Sequence, residues 1–406
     1  MAKLKIALLT AVSVDSPSGL RYFPMVKALT QRGYDVTLVA LHHNLQPTTP
    51  RVLVQEGVRV EYVGQMHVRK VDNSKFYYSP LALIRVALAS TLRMAKRAVQ
   101  MDCDLIHLGK PLPINGAAGL MGGPWLRRRR LYLDCDDYEA ESNRFERRSG
   151  KWLRRVIVLF EDGLPRFSAG LTVNTRFTQS RYISRGVAEE RIAYLPNGID
   201  RDRFTMPPAA LVDRLRRRWE VENRPVVAYV GTMGLTSHAV DLLLDGFAQL
   251  LIHHPRAVLL MVGGGEDYDQ LKQAAKSGLG NAVRFTGRIP AAEVPAYLAL
   301  ADVTVDPVRD DLVARGRSPL KIVESLAVGT PVVTGDVGDR REMLAGGRAG
   351  VLVAPGDAQA LAEGLARVLD DPDLACDMRQ AALVHREQYY WDNLIDTAIR
   401  LYERGS

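Results

Sequence analysis

RGRSPLKIVESLAVGTPVVTGDVG, residues 315–338, reads as a helix that stops at a glycine and turns at once into a buried strand. Pro319 suits a helix start, Gly329 suits its end, and PVVTG (331–335) is the β-branched run of a parallel strand. Lys321 and Glu324 lie three residues apart, on one helix face. A cation and a carboxylate on the first turns of a helix, beside the carboxyl end of a strand, suit a phosphate and a pair of sugar hydroxyls. Spacing alone leaves an ordinary surface Lys–Glu pair equally open.

Outward from this stretch, the chain alternates short apolar runs with gaps that fit helices, the pattern of βα units on parallel sheets. The first half offers strands at 5–10, 35–41, 58–63, 104–108, 130–134 and 170–174. The second restarts the series at 226–231, 257–263, 282–287, 303–307, 331–335 and 350–354. Between them YLPNGIDRDRF (194–204) breaks the periodicity at Pro196 and Gly198. Two such series predict two doubly wound domains, 1–196 and 197–386. A C-terminal amphipathic helix in 387–406, with Trp391, Leu394, Ile395, Ile399, Leu401 and Tyr402 on its apolar side, is expected to cross back to the first domain. Ligands of doubly wound sheets bind at the carboxyl ends of the strands, so an anion in a cleft between the domains is expected.

With 406 residues the chain exceeds the ~250–300 at which single cores stop growing. No apolar run reaches the ~18–20 residues of a membrane span. MAKLKIALLTAV resembles a signal peptide superficially, but it runs straight into the turn-rich DSPSG and reads better as a buried first strand. Cys103, Cys135 and Cys376 have neither metal spacing nor disulfide parity, which points to a reducing cytoplasm. No strand is followed by G-x-G-x-x-G, which disfavours a nicotinamide dehydrogenase. Residues 1–200 hold 30 Lys and Arg against 18 Asp and Glu, whereas residues 201–406 hold 24 against 28. The halves should therefore face different partners. Basic residues of the first half surround apolar ones: Arg85, Arg93, Lys96 and Arg97 in 81–99, Arg127–Arg130 after Trp125, and Arg147, Arg148, Lys151, Arg154 and Arg155 around Trp152. Such faces suit an anionic membrane, with plain solvated faces the equal alternative. Nucleic acid is not expected, since no recognition motif accompanies the charge.

Segment 315–338 resembles the donor-binding helix of family 4 retaining glycosyltransferases, of the GT-B fold. The resemblance continues through SGLRYFPMVKALTQRGYDVTLV (18–39), DLIHLGKP (104–111), AGLTVNTRF (169–177), RIAYLPNGID (191–200), LMVGGGEDYDQLKQAA (260–275), VRFTGRIPAAEVPAYLALADVTVDP (283–307) and the final W-D helix. It implies two Rossmann-like domains facing across a cleft, the first for the acceptor and the second for a nucleotide-sugar. By resemblance Glu324 binds the nucleotide ribose, and Lys321 and His107 join it as catalytic candidates. His107 can equally be a satisfied core histidine, because its strand is apolar on both sides. The donor set implied is Gly19, Gly231, Thr232, His238, Gly264, Arg288, Arg315, Arg317, Ser318 and Leu320 with Glu324. Gly19 can also be a tight turn. The acceptor set is Arg21, Lys110, Asp136 and Asp137.

Two departures from the family stand out. Gly316 occupies the position of a second Glu, eight residues before Glu324. Thr232 and His238, in VGTMGLTSHAVD (230–241), replace the Arg and Lys that usually grip the diphosphate. Arg315, Arg317 and Lys321 can supply that charge, so no metal is expected. The Asp134-x-Asp136 pattern is read as acceptor binding or helix capping rather than a metal motif. The resulting expectation is a retaining, metal-independent transferase that moves a hexose-type sugar from a nucleoside-diphosphate sugar to an acceptor hydroxyl, a lipid-linked or cell-envelope glycan among the candidates. A GT-B-fold sugar-nucleotide epimerase or hydrolase and a non-catalytic partner subunit are the alternatives. The expected location is the cytoplasm, with peripheral attachment to the inner membrane face as the option its basic surface opens.

Overall fold

The computed structural model describes residues 3–16, 19–71, 74–142 and 148–404. Ser18, Arg147 and Gly405 lie outside these residues, and so does the side chain of Arg148. Residues 1–196 with 394–406 form one compact unit, and residues 197–393 form the other.

The first unit is built on β1 (Lys5–Thr10), β2 (Asp35–His42), β3 (Val52–Gln55), β4 (Val58–Gln65), β5 (Val68–Val71), β6 (Ser74–Tyr77), β7 (Leu105–Gly109), β8 (Arg130–Cys135), β9 (Gly170–Val173) and β10 (Ile192–Tyr194). Eight of these form one sheet in the order β10-β9-β8-β7-β1-β2-β4-β3, while β5 and β6 pair apart. Within the large sheet only β3 runs antiparallel, on β4. β7 is buried along its whole length and β1 and β8 along nearly all of theirs, because helices cover both sheet faces; this is why these strands are continuous apolar runs.

His107, in the middle of β7, is a core residue. It is fully buried, its Nδ1 lies 2.5 Å from the Tyr402 hydroxyl, and burial lowers its pKa to about 4. It is therefore neutral and shut off from any ligand, which overturns its catalytic assignment. Tyr402 belongs to the C-terminal helix Trp391–Arg404, whose Leu394, Ile395, Ala398, Leu401 and Tyr402 are buried. Residues 387–393, expected to travel with that helix, belong to the second unit. Trp391 N donates to the Ile199 carbonyl at 3.1 Å, and Arg201 pairs with Glu387 and Asp392 at 3.0 Å each.

Arg21, expected to meet acceptor, is also structural. Its guanidinium grips Asp134 through two 2.7 Å bonds and donates to the carbonyls of Leu195 (2.9 Å) and Pro196 (3.1 Å). Thr172 Oγ1 gives Asp134 a further bond of 2.6 Å. Burial opposes the Asp134 charge, yet Arg21 overrides it and holds the carboxyl below its ordinary value. Removing one partner of a buried pair leaves the other charge bare, at a cost of ~3–5 kcal/mol. Asp134→Ala is therefore expected to lower the melting temperature sharply. In the wild type this contribution is present at neutral pH and is lost progressively as pH falls from about 4, where the unfolded carboxyl protonates, through the lower pKa of the folded one. Melting curves of both proteins across that range check it.

The second unit contains β11 (Val226–Val230), β12 (Val258–Val262), β13 (Val283–Gly287), β14 (Val303–Asp306), β15 (Val332–Gly335) and β16 (Gly350–Val353), all parallel, in the order β13-β12-β11-β14-β15-β16. The strand order reverses between β11 and β14, and ligands of such sheets bind at the carboxyl ends beside that point.

Candidate active site

Three glycine loops close the carboxyl edge of β11, β12 and β13. Gly231 N donates to the Val262 carbonyl at 2.9 Å, Met233 N to Gly264 at 3.0 Å and Gly263 N to Gly287 at 3.0 Å. A Cβ on Gly263 would stand 2.1 Å from the Gly231 carbonyl oxygen, and one on Gly265 1.9 Å from that of Met233. Backbone packs directly on backbone here, so these positions admit only glycine. Arg288 follows β13, exposed, with its Cγ 3.2 Å from where a Cβ on Gly264 would be.

The donor segment rises beside this floor. Helix Leu320–Ala327 starts after Pro319, and Gly329 turns the chain into β15 with φ +74°, a value that glycine adopts without strain. Lys321 Nζ lies 3.2 Å from Asp306 Oδ1 and 3.4 Å from the Tyr229 hydroxyl, and sits 4.5 Å over the Tyr229 ring. Burial works against its charge, but Tyr229 and Asp306 outweigh it and raise the pKa above the ordinary value. Glu324 is 3.7 Å from Arg203; burial raises its pKa, and Arg203 and Lys321 pull it back only in part. The side chains of Lys321 and Glu324 remain 13% and 12% exposed, so both reach the surface of the site.

Ser318 is buried, its Oγ accepting from Asn197 N at 3.2 Å and its carbonyl from Asn197 Nδ2 at 2.6 Å. It braces the segment more than it presents a hydroxyl. Leu320 is half-buried against the core. His238 ends the short helix Leu235–His238. Its pKa drops to about 2, first through burial and then through Lys321 and Arg317, which fixes a neutral imidazole beside two cations. Thr232 is exposed and its carbonyl accepts the Tyr229 hydroxyl at 2.6 Å. Arg315 does not join the group: it is exposed and forms two bonds, 2.6 and 2.8 Å, to Asp310. Its charge is spent on its own loop.

Three residues that sequence reasoning missed organise the site: Asp306, Arg340 and Tyr229. The one available signal was an aspartate closing the otherwise apolar run VTVD.

In the first unit, Gly19 serves the chain's own turn, since a Cβ there would lie 2.1 Å from the Val14 carbonyl oxygen. Lys110, left-handed at φ +69°, follows β7. Its buried ammonium contacts Asp136 (3.1 Å), Asp137 (2.9 Å) and Glu139 (2.6 Å). Burial, with Asp137, Asp134 and Glu139, pushes Asp136 up to about 7 against the pull of Lys110. Lys110 and Asp136 are thus locked into one cluster, and Asp137 is its more accessible member.

Two doubly wound units, the second with a cation-and-carboxylate helix beside its switch point, define the two-domain GT-B fold. Residues 22–198 match the family described as glycosyl transferase 4-like domain, and residues 224–371 match glycosyl transferases group 1. The chain belongs to the family 4, group 1 glycosyltransferases. It is 34% identical over 211 residues, 51% of this chain and 55% of the relative, to the GDP-mannose-dependent alpha-(1-6)-phosphatidylinositol monomannoside mannosyltransferase of Mycolicibacterium smegmatis. To the 2-deoxystreptamine glucosyltransferase of Streptomyces kanamyceticus it is 33% identical over 215 residues, 51% of this chain and 53% of that one. The chain spans about half the length of the curated relatives it matches. Among solved structures, a sucrose-phosphate synthase from Thermosynechococcus elongatus superposes with a TM-score of 0.75 at 19% identity, over 98% of each chain. Anabaena HepE in complex with UDP and glucose gives 0.75 at 20%, over 98% of this chain and all of that one. Both share the fold.

Proposed function

We propose that the protein transfers a hexose-type sugar from a nucleoside-diphosphate sugar to an acceptor hydroxyl with retention of anomeric configuration. The observation that carries this is the Lys321–Glu324 face beside Asp306 and Arg317, at the carboxyl ends of β11 and β14. Lys321 and Arg317 meet the diphosphate; Glu324 accepts bonds from ribose hydroxyls. The sugar C1–phosphate bond breaks as the acceptor oxygen binds C1 on the same face, and the acceptor proton passes to a phosphate oxygen. Fixed cations stabilise the charge that develops on that phosphate.

One relative supports a proposal for the acceptor class. The Mycolicibacterium protein is named for a phosphatidylinositol monomannoside, which favours a lipid-linked or cell-envelope acceptor. Among the described residues no helix is long and apolar enough to cross a membrane, so contact with lipid is proposed to be peripheral, through the basic first unit. Product analysis by NMR, with and without acceptor, tests the reading. A retained anomer on an acceptor supports it, whereas donor loss or epimerisation without acceptor would replace transferase by hydrolase or epimerase. Binding of no nucleoside diphosphate in a thermal-shift screen would leave a non-catalytic subunit.

Metal independence belongs to the same proposal. Asp134 is committed to Arg21, and Asp136, Asp137 and Glu139, whose oxygens could converge on a cation, converge on the Lys110 ammonium instead. Asp15, His42 and His43 form a second convergent group, but His42 Nδ1 already accepts from Asn44 N at 3.0 Å. Transfer is expected to be unchanged in excess chelator. Complete loss, restored by Mg2+ or Mn2+, would overturn this.

A further inference from the structure

We propose that Asp306 and Arg340 are positioning residues of the donor site: Arg340 grips Asp306 from behind, and Asp306 fixes the Lys321 ammonium where a donor diphosphate meets it. The inference rests on the reading of 315–324 as the donor segment.

Asp306 closes β14 and is buried. One carboxylate oxygen faces Lys321 Nζ at 3.2 Å; the other accepts from Arg340 Nε at 2.9 Å and Thr334 Oγ1 at 3.2 Å. Arg340 is itself immobilised, donating to the carbonyls of Ala314 at 3.1 Å and Val337 at 3.2 Å. The rear cation therefore cannot turn towards a ligand. The front cation can, because its side chain stays 13% exposed while that of Arg340 is 3% exposed.

The charges decide what the arrangement is for. One carboxylate stands between two cations; with Arg317 near His238 and Glu324 also facing Lys321, three positive charges meet two negative ones, a surplus of one. A buried surplus charge is costly unless an anion meets it. Lysine is a compact point charge on a flexible stem, so unanchored it would lose rotamer freedom on every binding event. Asp306 and Tyr229, whose hydroxyl donates to Thr232 and so turns its lone pairs to Lys321, remove that cost beforehand. Were Arg340 absent, Asp306 would neutralise Lys321 outright. With Arg340 sharing the carboxylate, the ammonium is held in place and keeps its field for the ligand. Asp306 stays ionised far below the usual carboxylate range, because Arg340 and Lys321 outweigh its burial.

The test is calorimetric titration of the full chain with bare UDP and GDP from about pH 7 to 8.5, where the diphosphate is ionised, the base N–H that titrates above about pH 9 stays intact, and the ordinary lysine value near 10.4 lies above the range. The groups facing Lys321 are Asp306, Tyr229, His238, Glu324 and Arg317. Wild-type affinity should be flat. Asp306→Asn should bind about tenfold more weakly, and should weaken further as pH rises, because a buried ammonium without its carboxylate releases its proton. A role confined to folding stability would not produce that slope. Lys321→Ala should bind weakly with no slope, and the double variant no more weakly than Lys321→Ala alone. If Lys321→Ala weakens binding while Asp306→Asn matches wild type in affinity and slope, the positioning role is wrong. If Lys321→Ala itself binds like wild type, the donor-segment reading fails instead. Should Asp306→Asn not fold, Arg340→Gln serves: a loss of severalfold supports the role, and wild-type affinity overturns it.

Discussion

Glu324→Ala is expected to lower kcat/KM for sugar transfer by about two to four orders of magnitude in a protein that still folds. Two ribose hydroxyls bonded to one carboxylate contribute ~1.5–3 kcal/mol each, and ~1.4 kcal/mol is a factor of ten. The fold should tolerate the change because the only ion pair Glu324 makes among the described residues, to Arg203 at 3.7 Å, is beyond hydrogen-bond reach and Arg203 is 25% exposed. Steady-state kinetics beside a melting curve checks both halves. Near-normal kcat/KM in a well-folded variant would remove Glu324 from the donor site. A second signature follows from the raised pKa of Glu324, first through burial. A carboxylate that must be ionised is lost as pH falls through its own pKa. The acid limb of the wild-type profile should therefore lie above the value of an ordinary glutamate, and vanish from the residual activity of the variant.

Much of the fold was legible because its central strands are buried on both faces and therefore spell uninterrupted apolar words, as in VVAYV and VLLMV. The strands that escaped lack that signature. β3 is an edge strand with an exposed pattern, β5 and β6 form a separate hairpin, and β10 has three residues. Lys321 and Glu324 were legible because three residues on one helix always share a face. Asp306, Tyr229 and Arg340 were not, since the ends of β14 and β11 and the helix Arg340–Met343, distant in sequence, bring them together around Lys321 and Asp306. His107 and Arg21 mislead for a related reason. A polar residue in an apolar segment announces that it is satisfied, but not by whom, and here Tyr402 and Asp134 are the partners. The Arg127–Arg130 run misleads likewise: Arg127 donates to the Val99 carbonyl, Arg129 to those of Ala98 and Met101, and Arg130 to that of Tyr402. Arg127, Arg129 and Arg130 thus cap helix C-termini, so neutralising them would test folding more than membrane contact.

The sharper membrane test lies on helix Pro80–Gln100 of the first unit. Its Leu81, Leu88 and Leu92 are 72%, 60% and 64% exposed, and Ile84 is exposed beside them. At about 100° per residue the three leucines point within about 20° of one direction, and Arg85 and Lys96 flank them within about 60°. A leucine stripe open to water, bordered by cations on a basic half of the chain, would suit an anionic bilayer, with apolar side chains entering the interface and the cations meeting the headgroups. The flanking cations are the reason to test lipid before an apolar protein groove, which would not need them. Leu88→Glu with Leu92→Glu removes two insertions, at ~1 kcal/mol or more each for partial burial, and sets two negative charges against the surface at ~1 kcal/mol each. The sum, ~4 kcal/mol, predicts a fall of about a thousandfold in vesicle partitioning with the melting temperature unchanged, since neither side chain is buried. Co-sedimentation with anionic and neutral vesicles at low and high salt measures it. The wild type should bind anionic vesicles, lose part of that binding as salt screens the cations over ~8–10 Å, and retain the part its leucines supply. Equal, negligible binding to both vesicle types at low salt would refute docking and turn the acceptor towards a soluble molecule. Binding that survives the double substitution would move the contact to the exposed Trp152 and Leu159 of helix Arg148–Gly163.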